Sequence, residues 1–330
     1  MSATPQHPVG THPGSPGNKT LIIVNPQAQA GAAAQAAERL QRFLQLYLRN
    51  QTFDVARTER PRHATELAAA ATGYRTVLAL GGDGVIHEVA CGLMRIERER
   101  RPSLGVVPVG SGNDFARTLG LTDCSGRDFA HLMRSRRCPL DIMRITWRDA
   151  DGAHGVDYAV ETCSMGLDAA IGLGTHDLRY TCGLTGQALY TASGLRAFGR
   201  DYRSFSSTVT FDDEEPRELT TITFAIQNGP TYGSGFHICP DADPADSLLD
   251  ICYAVGPVPR AVALPVFLSA KNGRHVSSKR IRMRRARRIE LVCAEAGYPI
   301  QVDGERLRAQ HLTVEVLRGA LDVLVPRALP

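Results

Sequence analysis

The sequence predicts an α/β fold in two parts: an N-terminal domain on a parallel sheet and a C-terminal domain of antiparallel, β-rich character. Three observations carry this. Between residues 19 and 107, apolar runs of strand length alternate with segments whose apolar residues recur at helical spacing. Glycine-rich stretches stand directly after two of those runs, at 81 to 84 and 110 to 112. Beyond Pro139 the pattern changes to short strands separated by turn residues.

Residues 1 to 18, rich in Pro, Gly, His and Ser and without periodicity, are expected to form a disordered leader. Leu21-Ile22-Ile23-Val24 reads as the first buried strand, and Ala33, Ala36, Ala37, Leu40, Phe43, Leu44, Tyr47 and Leu48 mark one face of a helix. A second strand at 52 to 57 and an Ala-rich helix at 62 to 72 follow. The third strand is 76 to 80, and Ile86, Val89, Ala90 and Leu93 place an apolar face on the next helix. The fourth strand is 103 to 107. This alternation implies a parallel sheet covered on both faces over 19 to 138. From 139 to 330, strands are expected at DIMRITW, VDYAVETC, SSTVTF, LTTITFAIQ, LLDICYAV, RRIELVC, YPIQV, LTVEVL and LDVLV. Helices are expected there only near 184 to 199 and 259 to 270.

A chain of 330 residues is long enough for about two domains, and 43% hydrophobic residues suffice for buried cores. The net charge of +4 conceals one local feature: KRIRMRRARR, residues 279 to 288, holds seven Lys/Arg and no acid. Outside it, 31 basic residues face 34 acidic ones. The eight cysteines are nowhere closer than 13 residues, which excludes a CxxC zinc or redox motif. Without a signal-peptide pattern, reduced thiols and a cytoplasmic location are expected. No apolar stretch approaches the ~20 residues that span a bilayer, so any membrane contact is expected to be peripheral.

The stretch GGDGVIHEV, residues 81 to 89, follows the third strand. Asp-Gly between apolar runs is also a hairpin signal, but the downstream half has period 3.6, which favours a strand-loop-helix connection. Ligands bind at such strand ends in open α/β sheets. Gly81, Gly82 and Gly84 let backbone N–H groups approach phosphate oxygens, and the following helix N-terminus favours negative charge. Asp83 among those amides repels a phosphate unless it binds Mg²⁺ or accepts a proton, and is therefore a functional candidate. A second loop, Val109-Gly110-Ser111-Gly112-Asn113-Asp114, follows the next strand. Ser111 offers a hydroxyl to a phosphate, while Asn113 and Asp114 are also ordinary helix caps. Two loops on neighbouring strand ends suit one nucleotide clasped from both sides. A P-loop is excluded, because the only lysines are Lys19, Lys271 and Lys279. The GxGxxG pattern fails too, with Phe115 and His87 where its third glycine belongs.

Together, GGDGVIHEV, LGVVPVGSGNDFARTLG, Asn25-Pro26 and VDGE at 302 to 305 resemble the diacylglycerol kinase-like catalytic domain, over about residues 19 to 327. That family includes sphingosine, ceramide and bacterial lipid kinases. The resemblance implies an ATP-binding α/β domain, a β-rich lipid-substrate domain, and γ-phosphoryl transfer from ATP to the hydroxyl of diacylglycerol or a related lipid. It implies nucleotide contacts from Asn25, Thr58, Gly81, Gly82, Asp83, Gly84, Val85, Ile86, His87, Gly110, Ser111 and Asn113. Glu305 and Asp83 are implied as the catalytic carboxylates, and Mg²⁺ as the cation accompanying the phosphates. A structural Mg²⁺ is implied on the Asp246 carboxylate and the carbonyls of Asp243 and Leu248; the plain alternative for PDADPADSLLD is a solvated acidic loop. Ser247 replaces the usual glycine there. Val85 stands where the family usually has Thr, removing a hydroxyl donor. His87 stands where it usually has Asn, and is either a nucleotide donor or an ordinary first-turn residue.

The basic run reads either as a solvated strand or as a surface for anionic lipid headgroups. Nucleic acid is not an expected partner, since aromatics are sparse and no recognition motif accompanies the charge. Two other functions stay open: a kinase of a small soluble alcohol such as a nicotinamide dinucleotide, and a lipid-binding regulatory protein with decayed catalysis. Residues 184 to 198 either line an acceptor cleft or belong to the core.

Overall fold

The structure, a computed structural model, describes residues 19–47, 52–121, 129–182, 184, 186–200 and 202–327. The expected leader lies outside them.

The N-terminal part runs β1 (Lys19–Val24), α1 (Ala32–Tyr47), β2 (Thr52–Arg57), α2 (His63–Ala69), β3 (Thr76–Gly81), α3 (Asp83–Leu93), β4 (Ser103–Pro108), α4 (Asp114–Thr118) and α5 (Ala130–Arg134). The strands lie parallel in the order β2-β1-β3-β4, with Ile22 beside Val55 and Leu78. Side chains alternate across a strand, so β1 feeds two cores. Ile22 and Val24 meet Ala33, Ala37, Leu40 and Leu44 of α1. Leu21 and Ile23 share the opposite core with Ala64 and Ala68 of α2 and Ile86, Val89 and Leu93 of α3. The helix spacing read from the sequence is therefore the packing face, except that Tyr47 is exposed and Leu48 lies outside the described residues. Helix α2 is shorter than the expected 62 to 72, and its first turn is closed by Glu88, whose carboxylate accepts the N–H groups of Arg62 and Ala64, both at 3.0 Å.

The C-terminal part runs β5 (Ser135–Arg148), β6 (His154–Ala159), β7 (Thr162–Gly166), α6 (Leu167–Cys182), α7 (Gly186–Arg200), β8 (Phe205–Phe211), β9 (Arg217–Gln227), β10 (Leu249–Val255), α8 (Arg260–Ser269), β11 (Ile281–Ala286), β12 (Arg288–Cys293), β13 (Ile300–Val302), β14 (Glu305–Leu307) and β15 (His311–Pro326). Antiparallel pairing links β14-β13-β7-β9-β8-β12-β15, with β10 and β11 branching from β9, and β5 and β6 from β15. Phe224, Ile226, Ile251, Leu291 and Val314 lie in the core these strands enclose. The far end of β15 returns to the N-terminal sheet, parallel to β4 with Val323 opposite Leu104, so the sheet is continuous through both parts. Strand β5 runs through position 139 without a break.

Three expectations are corrected here. Helix α6 was not expected; Gly172 and Gly174 dilute its helical signal, and its start abuts a buried strand. VDYAVETC is two strands, because the Asp303 carboxylate accepts the N–H groups of Val160, Glu161 and Thr162 and turns the chain there. LTVEVL and LDVLV are one strand, irregular between Leu317 and Leu321, where Gly319 takes φ +53° and donates its N–H to Asp141.

Candidate active site

The two glycine loops touch each other backbone to backbone. Val109 N–H donates to Gly81 O at 2.7 Å, and a Cβ added to Gly110 would lie 2.5 Å from Gly82 Cα. Asp83 is not in a loop, as expected, but is the first residue of α3, with Gly82 alone separating strand from helix. Its carboxylate faces the second loop: Oδ2 accepts Asn113 N–H at 2.7 Å and Oδ1 accepts Asp114 N–H at 2.9 Å. A Cβ on Gly112 would stand 2.5 Å from Asp83 Oδ2, so this clasp needs glycine there. Burial, with the negative charge of Asp114, pushes the Asp83 carboxyl up to about 7. Asn113 holds φ +54° and donates Nδ2–H to Gly110 O at 2.9 Å.

The remaining implied nucleotide residues divide. Asn25 and Thr58 lie at the same sheet edge as the glycine loops, with Thr58 N–H on Val24 O at 2.9 Å and Asn25 Oδ1 accepting Gln27 N–H at 3.0 Å. Ser111 belongs to that edge, and its carbonyl accepts the Ser234 hydroxyl at 3.0 Å. Val85 and Ile86 are corrected to core residues: both are buried, and their amides donate to Gly82 O within the helix start. Val85 lies so close over Gly81 that a Cβ there would meet Val85 Cγ2 at 2.9 Å.

Glu305 comes from the opposite side. Asp303 and Gly304, with φ of +46° and +93°, form the two-residue turn between β13 and β14. The hairpin reading and the catalytic reading of VDGE are therefore compatible. Glu305 is exposed, and its Oε1 lies 3.7 Å from where a Cβ on Gly84 would stand. The turn is anchored by Asp303, whose Oδ2 also meets His87 Nδ1 at 3.1 Å. His87 is buried, with its Nε2 3.7 Å from Cys91 Sγ. Burial disfavours its charged form, but Cys91 and the bond to Asp303 outweigh this and carry its pKa well above the ordinary value.

Sequence reasoning missed what four carboxylates hold. Asp303 fastens the Glu305 turn, and its place inside VDGE was the available signal. Buried Asp114 accepts the N–H groups of Ser234 at 2.9 Å and Gly235 at 2.8 Å, tying the second glycine loop to the C-terminal part. Buried Asp141 accepts Ser247 N–H at 2.6 Å and Gly319 N–H at 2.7 Å. Buried Glu161 accepts the Thr118 hydroxyl at 2.7 Å, while its Oε2 has no partner among the described residues. Burial pushes Glu161 well above the carboxylate range. No pattern marked Asp141 within β5 or Glu161 in the turn between β6 and β7.

The implied structural Mg²⁺ does not fit the residues present. Asp246 Oδ1 accepts Leu248 N–H at 3.0 Å, and Oδ2 is paired with the Arg285 guanidinium, which also reaches Asp250 at 3.3 Å. The Asp246 carboxylate, the charged member of the implied set, is thereby committed to a cation the chain itself supplies. Ser247, at φ +66°, adopts the left-handed conformation the family's glycine would take. Arg285 belongs to the basic run, most of which forms β11. Arg284 pairs with Glu214 at 2.7 Å and stacks over Phe211, and Arg288 pairs with Glu290. Much of this charge is therefore answered within the chain.

Beside this site, Leu167, Phe198, Ile222, Val258, Val266 and Phe267 line a largely apolar cavity of about 70 Å³. At its wall Tyr232 donates its hydroxyl to Asp168 at 2.6 Å.

Comparison with known proteins gives the family. A family model described as the diacylglycerol kinase catalytic domain matches residues 19–145, and one described as the YegS C-terminal NAD kinase beta sandwich-like domain matches 161–325. A protein of Pseudomonas aeruginosa named "Probable lipid kinase YegS-like" is 31% identical over 266 residues, covering 79% of this chain and 80% of the relative. The chain belongs to the YegS-like lipid kinase family. It is accordingly a kinase, a phosphotransferase with a diacylglycerol kinase-type catalytic domain. A lipid kinase of the same name from Xanthomonas euvesicatoria is 29% identical, with 79% and 82% covered. Among solved structures, a diacylglycerol kinase from Bacillus anthracis shares the fold with a TM-score of 0.72 at 20% identity, covering 94% of this chain and 98% of that one. Yeast NADH kinase shares it more distantly, with a TM-score of 0.52 at 11% identity and 95% and 84% covered. No helix among the described residues is long and apolar enough to cross a membrane.

Proposed function

We propose that this family member transfers the γ-phosphoryl group of Mg–ATP to the hydroxyl of diacylglycerol or a related lipid, with Glu305 as the general base. The observation that carries this reading is the approach of the exposed Glu305 carboxylate to Gly84, on the paired glycine loops. Backbone amides there, with Asn25, Thr58 and Ser111 at the same edge, hold the nucleotide phosphates. Mg²⁺ bound with the nucleotide would neutralise charge on the phosphate oxygens. Glu305 takes the proton of the acceptor hydroxyl as the phosphoryl group transfers. Asp83 positions the loops, because both its oxygens already accept backbone N–H groups. Residues 19 to 138 serve the nucleotide and 139 to 330 the acceptor. The apolar cavity accommodates part of an acyl chain, and its helix α8 leaves Val262, Leu264 and Leu268 exposed, a face suited to a lipid surface together with the unpaired arginines of the basic run.

The test is transfer of labelled γ-phosphate from Mg–ATP to mixed micelles carrying diacylglycerol, ceramide, sphingosine or phosphatidylglycerol, with a soluble nicotinamide dinucleotide alongside. Labelling of one lipid is expected. Glu305→Gln is expected to lower kcat by about 10²–10⁴-fold with nucleotide affinity retained. Labelling of the soluble acceptor alone overturns the lipid assignment, and full activity of Glu305→Gln overturns the base assignment.

A further inference from the structure

At the N-terminal ends of the parallel strands, away from the glycine loops, lies a second cavity, of about 350 Å³. It sits on the α1 side of the sheet. Thr20 and Thr76 are partners on β1 and β3, and Leu324 of β15 lies opposite Arg137 of β5. Side chains alternate across a strand, so Thr20 shares its face with Ile22, Thr76 with Leu78, and Ser135 with Arg137. Leu44 of α1 and Leu132 of α5 add apolar walls. The described lining contains two arginines, Arg75 and Arg137, three hydroxyls and no carboxylate. Neither arginine has an ion-pair partner among the described residues. Arg137 donates Nη2–H to the Arg75 carbonyl at 3.2 Å. Burial lowers the Arg137 pKa and the neighbouring Arg75 charge lowers it further, while Asp322, which opposes this, is itself paired with Arg98 at 2.9 Å. An independent observation comes from Thr20, which is only 8% exposed, lines the cavity, and has no side-chain hydrogen bond among the described residues.

We propose that this cavity binds an alkyl phosphate monoester, its head on Arg75 and Arg137 and its aliphatic part against Leu44, Leu132 and Leu324. Two guanidinium groups without a carboxylate suit a head that carries about −1.5 to −2 charge at neutral pH, as a phosphate monoester does and a carboxylate does not. The planar guanidinium fork also matches phosphate oxygens. Thr20 and Thr76 supply further donors, whereas the Ser135 hydroxyl is already committed to His131 O at 2.7 Å. Five of the ten lining residues are apolar, more than a free phosphate ion would use, so the anion enters with a chain attached. The volume falls within the range of small-ligand pockets, about 300–1,000 Å³. Thr76 and Gly81 are the two ends of β3, which separates this cavity from the glycine loops by about 16 Å at ~3.3 Å per residue. The occupant therefore does not compete with nucleotide. It touches β1, β3 and α1 of the N-terminal part and β5 and β15 of the C-terminal part, so it is an effector that bridges both. A lipid phosphate, the product class of the proposed reaction, belongs to this chemistry; the binding itself does not rest on that reading.

The experiment is calorimetric titration of octyl phosphate, below its micellar concentration, into the full-length protein with and without a saturating non-hydrolysable ATP analogue. Inorganic phosphate, octanoate and octanol are titrated alongside. One equivalent of octyl phosphate per chain is expected, with the same affinity in both forms and about tenfold or more tighter than any of the three comparators. Arg137→Gln and Arg75→Gln are each expected to weaken it about tenfold or more while circular dichroism and the thermal midpoint stay native. Both side chains are exposed, and without Arg137 the Arg75 carbonyl still accepts Ser103 N–H at 3.1 Å. Binding that survives both substitutions, or that the ATP analogue displaces, would place the ligand elsewhere and overturn the proposal. Octanol bound as tightly would reduce the cavity to an apolar groove, and inorganic phosphate or octanoate bound as tightly would remove the alkyl phosphate assignment. No binding of octyl phosphate would overturn it outright.

Discussion

Adding a single methyl group probes the contact between the glycine loops. At Gly110 it would fall 2.5 Å from Gly82 Cα and 2.6 Å from Asn113 Oδ1, a clash with backbone that no rotamer relieves. Gly110→Ala is expected to destabilise the protein by about 1–3 kcal/mol, as overpacking does, and to weaken nucleotide affinity more than tenfold by prising the loops apart. Unchanged affinity by calorimetry would remove the loops from the nucleotide site. Glu161 tests burial instead. Its folded pKa is raised, so the folded state keeps a proton that the unfolded chain releases above the ordinary glutamate range. Stability conferred by that proton is therefore present at low pH and declines as pH rises toward the folded value. Glu161→Gln lacks this decline, so its denaturant midpoint is expected to rise relative to the native chain between about pH 5 and pH 8. Parallel profiles would show that Glu161 ionises without penalty. The glycines of the first test were legible in the sequence; Glu161 was not, because a carboxylate in a turn between strands gives no local sign of what will cover it.

Among the elements, β11 shows how a chain can answer a loop's charge with its own cation. Arg285 reaches Asp246 and Asp250 across the 240 to 250 segment, while Asp141 holds Ser247 from the other side. Millimolar Mg²⁺ is therefore expected to leave the thermal midpoint of the nucleotide-free protein unchanged. Arg285→Ala is expected to lower stability, because it takes the cation away from the buried Asp250 and the half-buried Asp246, and to make the midpoint respond to Mg²⁺. A Mg²⁺-induced rise in the native chain, lost in Asp246→Asn, would restore the cation site that the family resemblance implies. The strand itself was readable from KRIRMRRARR as one of its alternatives, but which carboxylates faced it depended on pairing with β10, a non-local matter.

For the whole molecule, β15 is the shared member: its far end lies beside β4, and Leu321 and Val323 are fully buried in the N-terminal core. Leu321→Ala is expected to destabilise by about 2–5 kcal/mol. The only tryptophan, Trp147, lies on β5 in the C-terminal part, so its fluorescence reports the other half. Fluorescence and far-ultraviolet circular dichroism are expected to shift together on denaturant unfolding. A fluorescence midpoint that stays while circular dichroism moves would show two independently unfolding domains, as the division at residue 138 supposes.

Local pattern was enough for the strand-helix alternation, the glycine loops at strand ends, the Asp303-Gly304 turn and the family to which these motifs belong. Each depends on residues a few positions apart, where side-chain period and backbone conformation act directly. Only the tertiary structure decided that Asp83 clasps the second loop, that Val85 and Ile86 face the core, that Arg285 takes the place implied for a cation, and that His87, Cys91 and Asp303 converge. Those contacts join residues up to 216 positions apart. They exist because antiparallel pairing and helix packing bring distant side chains together, and no local period encodes that.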